Sequence, residues 1–351
     1  MSIFRTVLLH APNVHTGGGF VLLQALTAAW PRDVQLIAFL DARAHGQIML
    51  PDGAQVTWVD TRISSRLKAE VCLGSTAKAN DVILCFHGLP PLLTNPAKVV
   101  VFLQNRLYLE RKLLSGYRLK TRMRLFVERL VCRIFRQRVA EYIVQTPSMQ
   151  RAVLQWYGAH PPEQPPVRVL PFVETLCKPP ERNVRVLDWD FVYVADGEAH
   201  KNHWTLLAAW QLLAQDGLHP SLALTLCPRD RALKREVAAL SDEAGLRIKD
   251  LGRIPHENVF ALYTTSRALI FPSISESFGL PLIEATHAGL PILASELDYV
   301  RDVCRPVQTF DPTSAVSIAR AVKRFLAVPE PLVQLRSPHD FLSELFGVSP
   351  K

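Results

Sequence analysis

Short apolar, β-branched segments alternate with longer amphipathic segments along most of this chain. The apolar segments are continuous, which is typical of parallel strands that helices cover on both faces. We expect strands at 6–9, 34–40, 55–59, 82–86, 99–103 and 142–145, and then at 191–195, 222–227, 248–252, 267–273, 291–295 and 307–310. The pattern therefore predicts an α/β fold built on parallel sheets.

The alternation is interrupted by a proline-rich, polar region that contains "PPEQPP" and "CKPPERN". At 351 residues the chain is long enough for two domains, each with its own core. We expect doubly wound Rossmann-like domains at 1–175 and 176–330, joined by a linker near 172–188, and a tail at 331–351 that packs back across the interface. Ligands in such folds bind beyond the carboxyl ends of the strands, so the two domains should face each other across a binding cleft.

Composition excludes several classes of protein. With 48% hydrophobic and 21% charged residues, the chain is not expected to be disordered. It has no apolar run of roughly 20 residues, so it is not predicted to span a membrane. The start, "MSIFRTVLLHAPN", does not resemble a secretory signal. The six cysteines are scattered without a C-x-x-C pair, which predicts reduced thiols in a cytoplasmic protein. They are Cys72, Cys85, Cys132, Cys177, Cys227 and Cys304.

The segment 271–291, "FPSISESFGLPLIEATHAGLP", places Glu276 and Glu284 eight positions apart around a break. We interpret it as the end of a strand, a loop, and a helix that has Pro281 in its first turn and ends at Gly289. Glu276 then lies in the loop and Glu284 in the first or second turn of the helix. The backbone N–H groups at 278–281 and the helix dipole favour a phosphate there.

Two interpretations of the acids follow from the residues alone. A carboxylate beside a phosphate site can accept hydrogen bonds from vicinal hydroxyls, as an acid does with ribose in dinucleotide-binding folds. Alternatively, Glu284 only stabilises the start of its own helix and Glu276 is solvated.

The stretch "PSISESFGLPLIEATHAGLPILAS" resembles the glutamate-pair motif of the retaining nucleotide-sugar glycosyltransferases of family 4, which have the GT-B fold. The segments "GRIPHENVFALYTTSRALIFPS" and "HKNHWTLLAAWQLL" also resemble parts of that family, as do "VRVLPFVE" and "YIVQTPSMQRAVLQWYG". The resemblance is strong over 190–303 and looser before it. It implies a GT-B fold, with two doubly wound Rossmann-like domains facing across a cleft.

The resemblance also implies residue roles. Glu284 would bind the nucleotide ribose, Glu276 would lie by the donor sugar, and Lys201 would neutralise the diphosphate as the sugar is released. The donor-binding set implied is Glu284, Ser277, Phe278, Gly279, Leu280, Gly18, Gly19 and Arg253. No metal and no cofactor are expected, since the nucleotide-diphospho-sugar is a co-substrate.

Two positions depart from the family pattern. Many relatives carry an Arg for the diphosphate where this chain has Asp196, so another cation is needed, with Arg253, Arg229 and His200 as candidates. Many relatives also carry a His where this chain has Gln104 and Asn105. Those two residues can hydrogen-bond a sugar hydroxyl but cannot act as a general base. A retaining front-face displacement can instead pass the acceptor proton to the leaving phosphate.

Two features of the first domain remain open. Gly17, Gly18 and Gly19 do not form G-x-G-x-x-G, so the nicotinamide fingerprint is absent. This glycine stretch either forms a plain turn or approaches a phosphate or sugar, and it resembles the glycine loop of the donor cleft in family 4. His87 follows a predicted strand and is either an acceptor-side residue or a structural one.

Basic character is concentrated in Arg106–Arg138, which has eleven Lys or Arg and two Glu, a net +9 in a chain of +8. We interpret 106–138 as a basic helix. Its predicted apolar stripe is Leu119, Met123, Phe126, Leu130 and Ile134, and its predicted cationic flank is Arg118, Arg122, Arg129, Arg133 and Arg136. The segment 118–138 either docks on an anionic membrane or is a packed helix with a solvated charged face. Nucleic-acid binding is not expected, because no recognised module accompanies the charge.

The resemblance implies a retaining, metal-independent hexosyltransferase that acts in polysaccharide or lipopolysaccharide synthesis. Its acceptor would be a glycan or a lipid-linked glycan, at the cytoplasmic face of the membrane. Two alternatives stay open: a catalytically impaired relative that acts as a scaffold or partner protein, and another GT-B enzyme such as an epimerase or a phosphorylase. The nucleotide base, donor sugar, acceptor and linkage are not specified by these residues.

Overall fold

A computed structural model describes residues 6–94, 96–110, 116–158, 164–173, 187–243, 245–330 and 337–338 of the chain. The expected domain boundary at 175–176 and nearly all of the expected tail at 331–351 lie outside the described residues.

The first domain is a parallel seven-stranded sheet in the order β3-β2-β1-β4-β5-β6-β7. Its elements are β1 (Thr6–Ala11), α1 (Gly17–Ala28), β2 (Gln35–Asp41), β3 (Gln55–Val59), α2 (Ile63–Thr76), β4 (Val82–Cys85), β5 (Lys98–Phe102), α3 (Leu119–Phe135), β6 (Glu141–Val144), α4 (Pro147–Tyr157) and β7 (Val167–Val169). Helices α2, α3 and α4 contribute side chains to one core cluster, and α1 to another. The sheet is therefore covered on both faces, as its apolar strands predict.

The second domain is a parallel six-stranded sheet in the order β10-β9-β8-β11-β12-β13. Its elements are β8 (Trp189–Tyr193), α5 (His203–Gln215), β9 (Leu222–Leu224), α6 (Arg231–Glu243), β10 (Ile248–Asp250), α7 (His256–Thr264), β11 (Ser266–Phe271), α8 (Leu280–His287), β12 (Ile292–Ser295), α9 (Asp298–Val303), β13 (Gln308–Phe310) and α10 (Ala315–Phe325). A single core cluster contains side chains from both faces of this sheet.

All the strands expected from the sequence are present, with ends that differ by a few residues. The largest difference is in β9, which ends at Leu224 although the apolar run continues to Cys227. After Leu224 a side chain takes the place of a backbone partner, because the Ala195 N–H donates to the Thr225 hydroxyl. The prediction of two doubly wound α/β domains is confirmed.

Side chains of the second domain contact the first domain at the start of α4. The Asp302 carboxylate accepts a hydrogen bond from the Ser148 N–H at 2.7 Å, and Asp298 lies 3.3 Å from the Arg151 guanidinium. The Thr146 hydroxyl donates to the Ser277 carbonyl at 3.1 Å. These contacts hold the Glu276 loop against the first domain.

The basic segment differs from its predicted form. A separate 3₁₀ turn, Arg106–Tyr108, precedes it, and the helix α3 begins only at Leu119, so the prediction of a helix from 106 is wrong. The physical reason is that the Asn105 side chain caps the turn by accepting from the Leu107 N–H. Residues 111–115 lie outside the described part.

Helix α3 buries Leu125 and Cys132 against the sheet and turns its predicted apolar stripe to solvent. The stripe residues are between 46% and 72% exposed: Leu119, Met123, Phe126, Leu130 and Ile134, with Val127 beside them. Because the stripe is exposed, it is not the packed face of α3, as the interpretation of a packed helix with a solvated charged face assumed. Among the described residues, no helix has the length and apolar character to cross a bilayer.

The predicted cationic flank of α3 is only partly correct. Arg122 and Arg133 are exposed. Arg129 donates to the Leu107 carbonyl at 2.8 Å, and the Arg136 guanidinium lies over the rings of Trp156 and Tyr157. Arg118 donates to the carbonyl of Arg229 in the second domain at 2.7 Å. Contacts within the fold therefore engage three of the five predicted arginines.

Candidate functional site

The candidate site forms where β11 ends and α8 begins. Gly279, the residue before α8, has φ 75° and ψ 54°, a left-handed conformation that glycine adopts without strain. Pro281 lies in the first turn, and Gly289, with φ 64°, follows the helix. The chain therefore turns sharply from loop to helix, and the N-terminus of α8 lies at the carboxyl edge of the sheet.

Glu276 forms a largely buried ion pair with Lys201. Its Oε1 is 2.6 Å from the Lys201 Nζ and accepts a second hydrogen bond, at 2.7 Å, from the buried Ser273 hydroxyl. Lys201 ends a 3₁₀ turn after β8, where its carbonyl accepts from the Tyr193 hydroxyl at 2.8 Å. The left-handed Asn202 (φ 61°) then starts α5. Two strand ends thus bring a cation and an acid together.

Glu284 has different partners. Its Oε1 lies 2.8 Å from the Nε2 of His256, and its Oε2 accepts from the Tyr263 hydroxyl at 3.3 Å. Glu284 is buried, while the His256 side chain is about one-third exposed. Sequence reasoning did not single out His256, and its only sequence signal is its place in the "GRIPHENV" segment.

A narrow pocket between the two domains reaches Glu284. Its lining consists of Val21, Leu22, Val173, His256, Leu280, Ile283 and Glu284. His256 and Glu284 are the only ionisable side chains among these residues. The pocket is therefore an apolar slot with one carboxylate and one imidazole in its wall.

The predicted glycines lie in the first turn of α1, where the two domains approach closely. A Cβ at Gly18 would lie 2.9 Å from a methyl of Leu280, and a Cβ at Gly19 would lie 3.1 Å from the Gln104 Oε1. Gly18 therefore permits the contact between α1 and the start of α8. Val21 and Leu22, further along the same helix, line the pocket from the first-domain side.

Asp196, the position for which the resemblance required another cation, forms an ion pair with an arginine. The Arg229 guanidinium lies 2.8 Å from Asp196 and 3.5 Å from Glu198. Burial, and next the charge of Asp196, raise the pKa of Glu198. The Asp230 carboxylate accepts from the N–H groups of Gly197 and Cys227, which fixes this loop against the loop after β9.

His200 and Arg253 differ as candidate cations. Burial, and next the charge of Lys201, lower the pKa of His200 to about 4, and its Nδ1 lies 3.1 Å from the Tyr117 hydroxyl. His200 is therefore neutral near pH 7 in this structure. Arg253 is exposed and forms no ion pair within the described residues. Together with burial and the charge of Arg43, Arg253 lowers the pKa of His15 in the first domain.

The three acceptor-side candidates all have partners within the first domain. The Nδ1 of His87 lies 2.9 Å from the His10 carbonyl, and burial lowers the pKa of His87 to about 4. Gln104 donates to the Phe86 carbonyl at 2.7 Å, and Asn105 caps the 3₁₀ turn described above. The Gln104 carbonyl also accepts from the Ser277 hydroxyl at 2.6 Å. In this structure all three residues support the backbone.

No group of three or more His, Cys, Asp or Glu side chains is arranged to hold a metal ion in the part of the chain that the structure describes.

Comparison with known sequences finds relatives of the second domain. Residues 179–337 match the family model described as glycosyl transferases group 1. The chain is 31% identical over 157 residues to the serotype-specific mannosyltransferase WbdA of Escherichia coli, a match that covers 42% of this chain and 18% of WbdA. It is 33% identical over 116 residues to the O-antigen chain mannosyltransferase B of Escherichia coli, covering 32% of this chain and 30% of that protein. The matches thus cover less than a third of either relative.

Comparison with solved structures extends to the whole fold. Sucrose-phosphate synthase from Thermosynechococcus elongatus matches with a TM-score of 0.64 and 18% identity, over 92% of this chain and 90% of that one. HepE of Anabaena, in complex with UDP and glucose, matches with a TM-score of 0.62 and 14% identity, over 92% of this chain and 89% of that one. The protein therefore has the GT-B fold, and its second domain carries the sequence pattern of the glycosyl transferases group 1 family.

Proposed function

We propose that this protein is a retaining glycosyltransferase of family 4 that moves a sugar from a nucleotide-diphospho-sugar to an acceptor hydroxyl. The observation that carries the proposal is the arrangement around the start of α8. Glu284 lies in the wall of an interdomain pocket, while Glu276, on the loop before the helix, lies beside Lys201. The match of residues 179–337 to the glycosyl transferases group 1 model supports it.

The proposed donor site assigns one task to each group. Glu284 accepts hydrogen bonds from the ribose hydroxyls in the apolar pocket. The N–H groups of Phe278, Gly279 and Leu280 and the dipole of α8 face the diphosphate. Glu276 accepts from the donor sugar, and Lys201 neutralises the charge that develops on the leaving diphosphate. HepE, whose fold this chain shares, has been solved with UDP and glucose.

The proposed reaction keeps the configuration at the anomeric carbon. The bond from that carbon to the diphosphate oxygen breaks, and the acceptor oxygen forms its bond on the same face of the sugar. The acceptor proton passes to the departing phosphate oxygen, so no general base is required. This agrees with the structural roles of Gln104 and Asn105, since neither has to accept the proton.

A second cation is proposed for the diphosphate. Asp196 and Glu198 form ion pairs with Arg229, and their negative charges partly neutralise the charge of its guanidinium group. Arg253 is exposed near the cleft and has no ion-pair partner among the described residues. Arg253 is therefore the better candidate to share the diphosphate with Lys201, and metal-independent catalysis is part of this proposal.

The names of the relatives suggest the pathway. WbdA is a serotype-specific mannosyltransferase, and the second relative acts on the O-antigen chain. We therefore place this protein in polysaccharide or lipopolysaccharide synthesis, with a glycan or lipid-linked glycan acceptor. No observation among the described residues favours the catalytically impaired alternative.

Nucleotide titration tests the proposed donor site. Calorimetry with UDP, GDP, ADP and dTDP should find one that binds the native protein, and Glu284→Ala should weaken that binding roughly tenfold to a hundredfold, since a charge-assisted hydrogen bond is worth about 1.5–3 kcal/mol. Asp242→Ala, which removes an exposed acid on α6, is the control and should bind as the native protein does. If no nucleotide binds, or if Glu284→Ala binds normally, the donor site is wrong.

The helix α3 supports a second part of the proposal, in which the protein docks on the cytoplasmic face of an anionic membrane. The exposed apolar stripe is bordered on one side by Arg122 and Arg133 and on the other by Lys120 and Arg124, all exposed. Apolar side chains between cationic ones suit the headgroup region of such a bilayer. Helix α2, which packs on the same core cluster, adds a second exposed stripe of Ile63, Leu67 and Val71.

Vesicle sedimentation tests the membrane surface. The native protein should sediment at low salt with phosphatidylglycerol-containing vesicles and remain in solution with pure phosphatidylcholine. The double variant Phe126→Ser/Leu130→Ser should lose this binding. The control Val307→Ser/Val316→Ser replaces apolar residues of similar exposure in the second domain and should keep it. Equal sedimentation of the two variants would show that α3 is not the docking surface.

A further inference from the structure

We propose that His256 is a positioning residue that fixes the carboxylate of Glu284 for ribose and so determines the preference for ribose over 2′-deoxyribose. The inference rests on the proposed function, in which Glu284 binds the nucleotide ribose. It concerns a different residue, on α7, whose side chain contacts Glu284 directly.

Helix α7 supplies donors to both oxygens of Glu284. His256 and Tyr263 are seven residues apart, about two helical turns, so they lie on the same face of the helix. His256 lies 2.8 Å from Oε1, and Tyr263 donates to Oε2 at 3.3 Å. Because Oε1 belongs to a carboxylate, the Nε2 of His256 is the donor in this pair. The two contacts fix the plane of the carboxylate.

The position of His256 is set by the turn that precedes it. Gly252 has φ 73°, and its N–H donates to the Asp250 side chain at 2.9 Å. Pro255 then precedes the first residue of α7, and its carbonyl accepts from the Asn258 N–H. His256 is therefore held at the pocket edge by the backbone of its own turn, where about one-third of its side chain is exposed.

The pocket makes this orientation useful. Its other lining residues are apolar, so a polar group that enters has Glu284 and His256 as its only ionisable partners among them. A carboxylate has about four lone-pair positions, and the two donors from α7 use two of them. The remaining positions suit the two hydroxyls of a ribose, which are both donors. A carboxylate that can rotate binds such a diol less selectively, because its geometry is no longer set before binding.

The test compares two amides that differ by one methylene. His256→Gln retains an N–H donor near the place of Nε2, whereas the amide of His256→Asn is too short to reach Glu284. Calorimetry measures the Kd of UDP, GDP and ADP, each beside its 2′-deoxy form, for the native protein and both variants. His219→Gln, in the loop before β9, is the matched control. Thermal unfolding confirms that each variant is folded.

The native protein should prefer the ribonucleotide by about tenfold or more, as expected for a charge-assisted hydrogen bond to a hydroxyl. His256→Asn should lose most of that preference, mainly through weaker ribonucleotide binding. His256→Gln and His219→Gln should keep it. A merely structural role for His256 would weaken both nucleotides equally and leave the ratio unchanged.

The outcomes separate this inference from the function on which it rests. If the native protein binds a ribonucleotide preferentially and His256→Asn shows the same preference, the inference is overturned while the donor site stands. If the native protein binds none of UDP, GDP and ADP, or binds the ribo and 2′-deoxy forms equally, Glu284 does not read the ribose and the inference fails with that assignment.

Discussion

Lys201 and Glu276 form a buried ion pair, although the proposed donor substrate binds Lys201 through its diphosphate and Glu276 through its sugar. Their charged atoms are 2.6 Å apart, and less than a fifth of either side chain is exposed. A bound diphosphate competes for the ammonium group, and a sugar hydroxyl can replace that donor at the carboxylate. The pair therefore keeps two charges compensated until the substrate takes over both partners.

Replacing Lys201 should impair diphosphate binding in a way that depends on Glu276. Lys201→Met should weaken nucleoside diphosphate binding about tenfold to a hundredfold, because a charge-assisted contact is lost and the Glu276 carboxylate is left unpaired near the phosphate. The double variant Lys201→Met/Glu276→Gln should regain part of this affinity. Calorimetry measures both.

Lys249→Met, an exposed lysine on the edge strand β10, is the control and should bind as the native protein does. A double variant that binds no better than Lys201→Met would show that repulsion from Glu276 plays no part.

His203 begins α5 and carries an unusual burial cost. It is 2% exposed, both of its ring nitrogens lack hydrogen-bond partners within the described residues, and its ring packs on Tyr193 at 4.8 Å. Burial lowers the pKa of His203 from 6.5 to about 3. The folded protein therefore keeps His203 neutral at a pH where the unfolded chain protonates it.

This difference predicts acid sensitivity that a single substitution removes. Between about pH 6.5 and pH 3 the unfolded chain binds the extra proton, so native stability falls by ~1.4 kcal/mol for each pH unit lost. His203→Leu should equal or exceed native stability near pH 7.5 and gain roughly 2 kcal/mol on it near pH 5. Urea unfolding at the two pH values measures the change. A stability difference that is the same at both would contradict the pKa assignment.

Sequence reasoning at this scale identified residues by motif but not by contact. Glu276 and Glu284 belong to one linear segment, so their proximity to one helix start was predictable, whereas Lys201 was named only through the family resemblance. His256 was missed because its contact with Glu284 joins residues 28 positions apart through the packing of α7 on α8. Gln104 was expected to face an acceptor, but a buried strand end requires its amide to satisfy the Phe86 carbonyl.

At the scale of the element, the start of α8 depends on one glycine. Gly279 has φ 75°, and a Cβ there would lie 3.1 Å from a methyl of Leu282, which is fully buried. Gly289, after the same helix, also has a left-handed conformation (φ 64°), but a Cβ there would meet no atom within 4 Å. The two glycines thus share the backbone requirement and differ in packing.

Alanine substitutions at these two positions should separate the cost of a left-handed backbone from the cost of a packing clash. Gly289→Ala should lose about 1 kcal/mol of unfolding free energy, the cost of a left-handed alanine. Gly279→Ala should lose more, roughly 2–3 kcal/mol, because Leu282 must also shift. It should weaken nucleotide binding as well, since the Glu276 loop and the helix start move together. Urea unfolding and calorimetry measure these effects, and equal losses at the two sites would contradict the packing argument.

Elements were predicted well where one pattern sufficed. The strands are continuous apolar segments that match a sheet buried on both faces, and these apolar runs located them. Helix α3 was predicted only in part. Its apolar stripe predicted a helix correctly, but the sheet contacts Leu125 and Cys132, on the opposite side. Periodicity identifies an apolar face without stating whether that face meets the core or a membrane.

At the scale of the whole molecule, two domains and a cleft were predictable, but the contacts that hold the domains together were not. The contact between Ser148 and Asp302 pairs a backbone N–H with a carboxylate more than 150 residues away, and no local pattern marks such a pair. Both residues are ordinary in sequence. Only the packing of α4 against α9 gives them a role.

Removing Asp302 should loosen the two domains. The Ser148 N–H lies in the first turn of α4 and is buried, so Asp302→Ala leaves it without its carboxylate partner and should cost about 1–3 kcal/mol of interface free energy. The Asp298 carboxylate, by contrast, is 72% exposed beside Arg151, and such a surface pair is worth ~0.5 kcal/mol or less. Asp298→Ala is therefore the matched control on the same helix. Small-angle scattering should show a larger radius of gyration for Asp302→Ala alone, together with a lower Tm. If both variants scatter as the native protein does, the α4–α9 contact does not hold the cleft together.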